Sequence, residues 1–261
     1  MTVMVDHFPY YVKRLCDAPY GALRRITRSK CRGYSIIEPY LTGKSGLEIG
    51  GPSPVFGRNK LVPVYDRCGQ IDNCDFSDQT IWRAAEDKRD VETMFGKRYV
   101  TDARDLSAIA DASYDFVVAS HVLEHLANPL RALHEWKRVV RPGGVLLILV
   151  PDRRNTFDHK RPLTPFEHIE SDFLANTQED DLTHLDEVLA LHDLTLDPGA
   201  GSREQFSERC LRNAEVRAMH HHVFSAEVVS AMFARLNMPV LSISFERPYH
   251  IIGFACKSNN A

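Results

Sequence analysis

The sequence lacks the patterns that would place the chain in a disulfide-rich or membrane-spanning class. Its six cysteines show no C-x-x-C spacing, and the N-terminus lacks a secretory signal pattern, so we expect free thiols in a reducing compartment. No apolar run approaches the roughly 20 residues that a membrane-spanning helix needs. The content of 44% hydrophobic and 26% charged residues is ordinary for a globular protein. The sequence therefore predicts a cytoplasmic protein without a membrane span.

A strong excess of either charge sign is also lacking, since the formal net charge is −3. This balance disfavours nucleic acid as a partner, because nucleic-acid-binding chains usually carry a basic surface. The chain contains neither a G-x-G-x-x-G fingerprint, which would indicate a nicotinamide dinucleotide, nor a Walker A lysine. It contains no internal repeat and no low-complexity tract.

What the sequence does contain is an alternation of predicted strands and helices over residues 45–151. At 261 residues the chain can form one large core, or one core that carries an insertion. The alternation favours a parallel sheet covered on both faces. The predicted strands of this part are residues 46–49, 60–65, 98–102, 114–119 and 144–150. Asn128 and Pro129 mark the start of a helix before the last of them, and two β-rich runs, 240–245 and 250–256, predict a closing hairpin.

Segments on either side of this sheet complete the predicted organisation. Residues 1–44 are predicted to form an N-terminal helical cap, with helical patches at 11–15 and 22–26. Residues 45–261 form the main domain, in which a polar, helical insertion occupies about 152–218. A capping box at Thr164 is predicted to start one helix of the insertion, a second is predicted over 182–191, and Ser225 is predicted to cap the last helix of the chain. Because the insertion follows the fifth strand, we expect it to cover a site at the carboxyl ends of the strands.

The most informative local pattern is an apolar run that ends in an acid and two glycines, Glu48-Ile49-Gly50-Gly51. A second acid, Asp66, follows the next apolar run. A strand, a glycine turn, a helix and a strand that ends in a carboxylate form the arrangement that holds an adenosine-containing cofactor. In that arrangement the carboxylate binds the ribose hydroxyls.

In order and spacing, these segments resemble the class I S-adenosylmethionine (SAM)-dependent methyltransferases. The resemblance rests on Glu48-Ile49-Gly50, on Asp66, and on the segments 101–106, 114–125 and 141–146. It covers residues 45–151, the last helix and the closing hairpin. It implies an α/β fold, with a doubly wound, mostly parallel seven-stranded sheet, a C-terminal antiparallel hairpin and a helical insertion. It also implies SAM as cofactor and a SAM-dependent methyltransferase activity.

The resemblance also implies a set of cofactor-binding residues. In it, Asp66 holds the ribose, while Asp102 and the backbone amide of the next residue address the adenine. The full set is Glu48, Gly50, Gly51, Ser53, Asp66, Asp102, Ala103 and His121. Pro52 and Pro54 stand where the family usually has further glycines. This departure motivates an alternative in which the chain is a catalytically inactive SAM-binding regulatory or partner subunit.

Histidines are the candidate catalytic residues, because a hydroxyl acceptor needs a base or a metal ion to become nucleophilic. His121 and His125 lie four residues apart and are predicted to share one helical face, with Glu124 beside them. This element resembles the E-x-x-E-H metal-binding element of the small-RNA 2′-O-methyltransferases, which makes a divalent metal on Glu124 and His125 a candidate cofactor. The alternatives are a packing histidine or one that faces the acceptor. H-x-x-E-H is also an inverzincin peptidase signature, but its place after a core strand disfavours a peptidase.

Further candidates lie in and after the insertion. Asp158 and His159 are predicted to form a general base, with the acid orienting the imidazole. Additional histidines occur at His168, four residues before Asp172, and at positions 220–222. The insertion is acidic, and no Asn-Pro-Pro-Tyr motif is present, so DNA adenine is disfavoured as acceptor. The predicted partner is a saccharide or another small molecule with a hydroxyl group, and the oligomeric state is left open.

Overall fold

The computed structural model describes residues 30–78 and 96–259. Seven strands in these residues form one sheet in the order β3-β2-β1-β4-β5-β7-β6. The strands are β1 (Ser45–Ile49), β2 (Gln70–Asp75), β3 (Arg98–Val100), β4 (Tyr114–Ser120), β5 (Val140–Pro151), β6 (Val240–Glu246) and β7 (His250–Cys256). The first five are parallel to one another, and β7 pairs antiparallel with both β5 and β6. The predicted α/β fold, with a mostly parallel seven-stranded sheet and a C-terminal antiparallel hairpin, is confirmed.

The register of the parallel strands brings their carboxyl ends to one edge of the sheet. Ile49, at the end of β1, pairs with Cys74 of β2 on one side and with Ala119 of β4 on the other. The chain reverses its direction of winding at β1, and ligands of open α/β sheets bind at such a point, outside the carboxyl ends of the strands. The loops after β1, β2 and β4 therefore meet at the predicted position of the site.

Helices cover the sheet and build the insertion. The α-helices of the described residues are α1 (Tyr34–Leu41), α2 (Pro129–Val139), α3 (Phe166–Ala175), α4 (Leu185–Leu191), α5 (Arg203–Leu211), α6 (Asn213–Val216) and α7 (Ala226–Arg235). Four of them, α3 to α6, lie in the predicted insertion, which we call the lid. The lid also contains short 3-10 turns at Arg153–Asn155, Leu194–Leu196 and Pro198–Ala200. The lid has a small apolar cluster of its own, around Val188, Phe206 and Met219. None of the helices in the described ranges combines the length and apolar character that crossing a bilayer requires.

Alternate residues of the central strands supply two apolar layers, one on each face of the sheet. Val117 of β4 belongs to the layer under α2 and α7, whereas its neighbours Phe116 and Val118 belong to the layer under α1. Trp136 of α2 is fully buried and donates its indole N–H to the carbonyl of Ala103 at 2.9 Å. This bond ties α2 to the loop that follows β3, next to the predicted cofactor site.

The prediction of a strand over residues 60–65 is wrong. This apolar run lies outside the sheet, and the second strand is Gln70–Asp75. Val62 and Val64 are fully buried in the layer under α1, and their backbone amides donate to carbonyls of the turn at Pro54–Phe56. The run is apolar because it packs on the sheet. Asp66 consequently does not end a strand, and its side chain is exposed.

Several helix boundaries also differ from the predictions. Thr164 does not cap α3; Pro165 precedes the helix, and the Thr164 hydroxyl accepts from the amide of Val223. The predicted helix over 182–191 begins at Leu185. The predicted caps at Asn128 and Ser225 are confirmed, since each side chain accepts from a backbone amide of its helix. The helical patches predicted at 11–15 and 22–26 lie outside the described residues, and the five cysteines of the described ranges are free thiols.

Candidate functional site

A cavity of about 490 Å³ opens at the carboxyl edge of the sheet. Its walls come from the loops after β1, β2 and β4, from the segment after β5, from the lid and from the hairpin between β6 and β7. The size is that of a small-molecule site. The residues that line it are Ile49, Gly50, Gly51, Pro52, Ser53, Pro54, Cys74, Asp75, Phe76, Ala103, Ser120, His121, Val122, Glu124, His125, Leu126, Pro151, Asn155, Thr156, Phe157, Leu196, Arg217, His220 and Tyr249.

The glycine bend after β1 forms one wall, and its geometry requires glycine. Gly50 and Gly51 both have φ of 76°, a conformation that side chains with a Cβ rarely adopt. A Cβ on Gly51 would lie 2.2 Å from the carboxylate of Glu48. That carboxylate is buried and accepts from the amide of Ser53 and the hydroxyl of Tyr65, both at 2.9 Å. Glu48 therefore shapes the bend from beneath, outside the cavity lining, while the two glycines expose their backbone to the cavity.

Asp75 takes the place at the end of the second strand that the sequence analysis assigned to Asp66. It ends β2 and lines the cavity together with Phe76. The backbone amide of Phe76 donates to Asp75 Oδ1 at 2.8 Å, which orients the carboxylate. A strand-terminal acid next to a glycine bend is the arrangement that binds ribose hydroxyls. No local pattern marks this strand, because β2 reads Gln-Ile-Asp-Asn-Cys-Asp and four of its six residues are polar.

Asp102 lies behind the cavity wall, while its neighbour Ala103 lines the cavity. Arg104 donates to both oxygens of Asp102, and Arg217 of the lid donates to Oδ2 at 2.7 Å. Burial opposes ionisation of Asp102, but the hydrogen bonds from Arg104 and the charge of Arg217 outweigh it and lower the pKa to about 2. The Arg217 guanidinium also lies 4.7 Å from the ring centre of Phe76. Arg217 thus ties the lid to the loops after β2 and β3.

His121 and His125 do not share a helical face. Residues Leu123–His125 form a single 3-10 turn, and His121 has a left-handed φ of 55°. His121 contacts Glu124 through Nδ1 at 3.2 Å and His250 through Nε2 at 3.0 Å, whereas the ring of His125 packs edge-on against His220 at 4.5 Å. Burial, with the charge of His220, lowers the pKa of His125 to about 3, so this imidazole is neutral at ordinary pH. Both histidines and Glu124 line the cavity.

The lid carries a buried acid and histidine pair, but the partners differ from the predicted ones. Asp158 Oδ2 lies 2.6 Å from Nδ1 of His220, and its other oxygen pairs with Arg161 at 3.0 Å. His159 instead faces Asp193, at 3.6 Å, and lies outside the cavity lining. Burial disfavours the charged imidazole of His220, but the Asp158 carboxylate outweighs burial and raises the pKa of His220. His220 lines the cavity, and Asp158 thus pairs with this imidazole, 62 residues away along the chain, rather than with the adjacent His159.

The cavity thus brings together most of the predicted site residues. The predicted residues that line it are Gly50, Gly51, Ser53, Ala103, His121, Glu124 and His125. Glu48 and Asp102 lie directly behind its wall, through the contacts described above. Asp66 and His159 lie outside it. Sequence reasoning missed Asp75, Phe76, Arg217 and Tyr249, which line the same space, and it did not pair His220 with Asp158.

Comparisons with known proteins show which proteins this chain is similar to. Residues 56–148 match the family model described as a methyltransferase domain. A protein of Mycolicibacterium smegmatis, described as a "Probable S-adenosylmethionine-dependent methyltransferase", is 47% identical over 60 residues, which are 22% of this chain and 23% of that protein. Thiol S-methyltransferase TMT1B of Homo sapiens is 30% identical over 146 residues, which are 54% of this chain and 56% of that protein. A solved SAM-dependent methyltransferase from Aquifex aeolicus is 14% identical with a TM-score of 0.47, over 96% of this chain and 99% of that one.

The chain spans only part of the length of the curated relatives that it matches, between 23% and 56%. The matched family model spans β2 to β4 and ends within β5, so β1 with its glycine bend, the lid and the hairpin lie outside the match. These comparisons give no support to the alternative of an inactive binding subunit.

Proposed function

We propose that the chain is a class I SAM-dependent methyltransferase and that it transfers a methyl group to a hydroxyl oxygen of a saccharide or another small molecule. The observation that carries the proposal is the composition of the cavity. One end has a glycine bend and a strand-terminal acid, and the other has a buried imidazole paired with a carboxylate. The first end suits a nucleoside cofactor, and the second suits removal of a proton from an acceptor.

The residues at the first end fit SAM, which supplies a methyl group on a positively charged sulfur. Gly50 and Gly51 let the backbone approach the cofactor closely, because neither position has room for a Cβ. We propose that Asp75 accepts from the ribose hydroxyls and that Phe76 and Ala103 contact the adenine. In this assignment Asp102 does not contact the adenine. It holds Arg217 and the loop after β3 in place beside the cofactor. The predicted role of Ser53 stays a prediction, and its backbone amide is already held by Glu48.

At the second end we propose that His220 is the general base. Asp158 faces Nδ1 of His220, so in the neutral imidazole the proton resides on Nδ1 and the lone pair on Nε2. That lone pair accepts the proton of the acceptor hydroxyl as the oxygen attacks the methyl carbon. Asp158 then stabilises the imidazolium that forms. Asp158 is held in turn by Arg161, which also donates to the backbone carbonyls of residues 220 and 221.

His121 and His125 are proposed to position the acceptor. Both line the cavity beside His220, and His121 is fixed by contacts to Glu124 and His250. A neutral, buried imidazole such as His125 can hydrogen-bond a hydroxyl without adding charge. The acceptor would lie among these rings, the lid residues Asn155 and Thr156, and Tyr249 of the hairpin. The lid residues supply polar atoms, and Tyr249 supplies an aromatic surface. Such a lining suits a small polyhydroxyl compound.

A divalent metal on Glu124 and His125 stays a prediction. Ligand atoms of Glu124, His125 and His220 lie within 4.8 Å of one another, which is compatible with such a site. The pairing of His220 with Asp158 favours the base mechanism, because it already accounts for the orientation of that imidazole. A cytoplasmic location, the boundaries of the lid and the class of acceptor are likewise proposals.

The test is a transfer assay with purified protein. The protein would be incubated with SAM that carries a labelled methyl group and with a panel of saccharides, small hydroxyl compounds and one thiol, and the products would be analysed by mass spectrometry. We expect label on oxygen for at least one acceptor, and loss of that product with His220→Gln. Transfer to the thiol alone would overturn the hydroxyl assignment. Tight SAM binding with no transfer to any member of the panel or to cell-extract metabolites would count against the activity itself.

A further inference from the structure

A second group of histidines lies in the lid, outside the residues that line the cavity. We call it the lid histidine cluster: His168 and Asp172 of α3, His184 directly before α4, and His222 in the segment that leads to α7. Among the described residues, the imidazoles of His168, His184 and His222 offer ligand atoms within 4.8 Å of one another. The cluster joins three segments that are otherwise separate in the chain.

The distances in the cluster are those of a preformed ligand set. Nε2 of His168 lies 2.9 Å from Nε2 of His184, and 3.3 Å from Oδ2 of Asp172. The same Asp172 oxygen lies 3.7 Å from Nε2 of His222. Four ligands at about 2.0–2.1 Å around a tetrahedral zinc ion are separated from one another by about 3.3 Å. The three distances above lie close to this separation, and the three imidazoles all offer ligand atoms within 4.8 Å of one another.

Hydrogen bonding within the protein leaves part of this group unsatisfied. Asp172 Oδ1 accepts from the Thr177 hydroxyl at 3.1 Å, but Oδ2, which faces the histidines, has no hydrogen-bond partner among the described residues. His222 Nδ1 is also buried without one. Buried polar atoms are normally satisfied by protein, water or an ion. The Thr177 contact to the outer carboxylate oxygen is the kind of support that orients a metal ligand.

We propose that the lid histidine cluster binds one divalent transition-metal ion, with zinc as the preferred ion. Three imidazoles and one carboxylate form a ligand set typical of zinc, and four protein ligands close a tetrahedral site without a position for substrate. The ion would have a structural role, because the cluster lies outside the cavity lining. The ion would join α3, the start of α4 and the segment that carries both His222 and the proposed base His220.

The experiment measures metal in protein purified without a polyhistidine tag. Metal content would be determined by inductively coupled plasma mass spectrometry, zinc affinity by competition with a chromophoric chelator, and geometry by the visible absorption of the cobalt(II) form. The test variants are His184→Gln and Asp172→Asn, both at partly exposed positions. The matched control is His134→Gln, which removes an imidazole that stacks on Phe173 of α3 without belonging to the cluster. His125→Gln controls for the cluster at the cavity.

We expect one equivalent of zinc in the wild type and in both controls, and tetrahedral cobalt absorption. Loss of a ligand in His184→Gln should weaken zinc binding on the order of a hundredfold or more, since even changes behind the ligands cost about 10–100-fold. Chelation should lower the unfolding temperature of the wild type and leave that of His184→Gln unchanged. Wild-type protein that binds zinc no more tightly than His184→Gln would overturn the proposal. Metal lost in His125→Gln but kept in His184→Gln would also overturn it, because the ion would then lie at the cavity.

Discussion

Replacing Asp75 with alanine tests the assignment of the cofactor end of the cavity. Asp75 ends β2, lines the cavity and is oriented by the amide of Phe76. If its carboxylate accepts from the two ribose hydroxyls of SAM, the variant loses both hydrogen bonds. The glycine bend and the proposed base would remain in place, so the loss should appear in cofactor affinity.

The expected magnitude follows from the exposure of the side chain. A hydrogen bond to a charged group contributes about 1.5–3 kcal/mol. Asp75 is only partly buried, so the lower end of this range applies and two bonds contribute about 3 kcal/mol. Since every 1.4 kcal/mol is a factor of ten, the dissociation constant should rise about a hundredfold.

Isothermal titration calorimetry with SAM and with its demethylated product would measure this change. The matched control is Asp66→Ala, which removes the same side chain from an exposed position outside the cavity. Its dissociation constant should equal that of the wild type. If Asp66→Ala weakens binding while Asp75→Ala does not, the placement of the ribose at the end of β2 is refuted.

Three further predictions concern the base and the glycine bend. His220→Gln should lower kcat about 10²–10⁴-fold with little change in SAM affinity; an unchanged kcat in a steady-state assay would remove His220 from the mechanism. The base must be neutral to accept a proton, so activity should rise as pH increases through the raised pKa of His220, and Asp158→Asn should move this rise to lower pH. A pH profile that does not move would contradict the pairing. Gly51→Ala should weaken SAM binding and lower the unfolding temperature, because the positive φ alone costs roughly 1–2 kcal/mol and the new Cβ meets the Glu48 carboxylate; normal affinity and stability would show that the bend tolerates a side chain.

The amino-acid sequence alone determined the elements that depend on neighbouring residues. The caps at Asn128 and Ser225, the glycine bend after β1 and the closing hairpin are set by local backbone preferences, and each is found where it was predicted. The order of these local signals predicted a mostly parallel α/β sheet, because such a sheet repeats one local unit, but it misplaced the second strand. It also placed the glycines and the histidines after β4 at the site.

Only the tertiary structure decided which acid ends the second strand and which histidine the lid acid orients. The run 61–65 is apolar although it lies outside the sheet, because burial against the sheet demands apolar residues from a packed loop as much as from a strand. The strand β2 itself reads Gln-Ile-Asp-Asn-Cys-Asp, which no apolar pattern marks. The pairing of Asp158 with His220 joins positions 62 residues apart, and no periodicity records such a contact. Local pattern reports the environment of each residue, whereas a site is built from the distances between residues that the chain brings together when it folds.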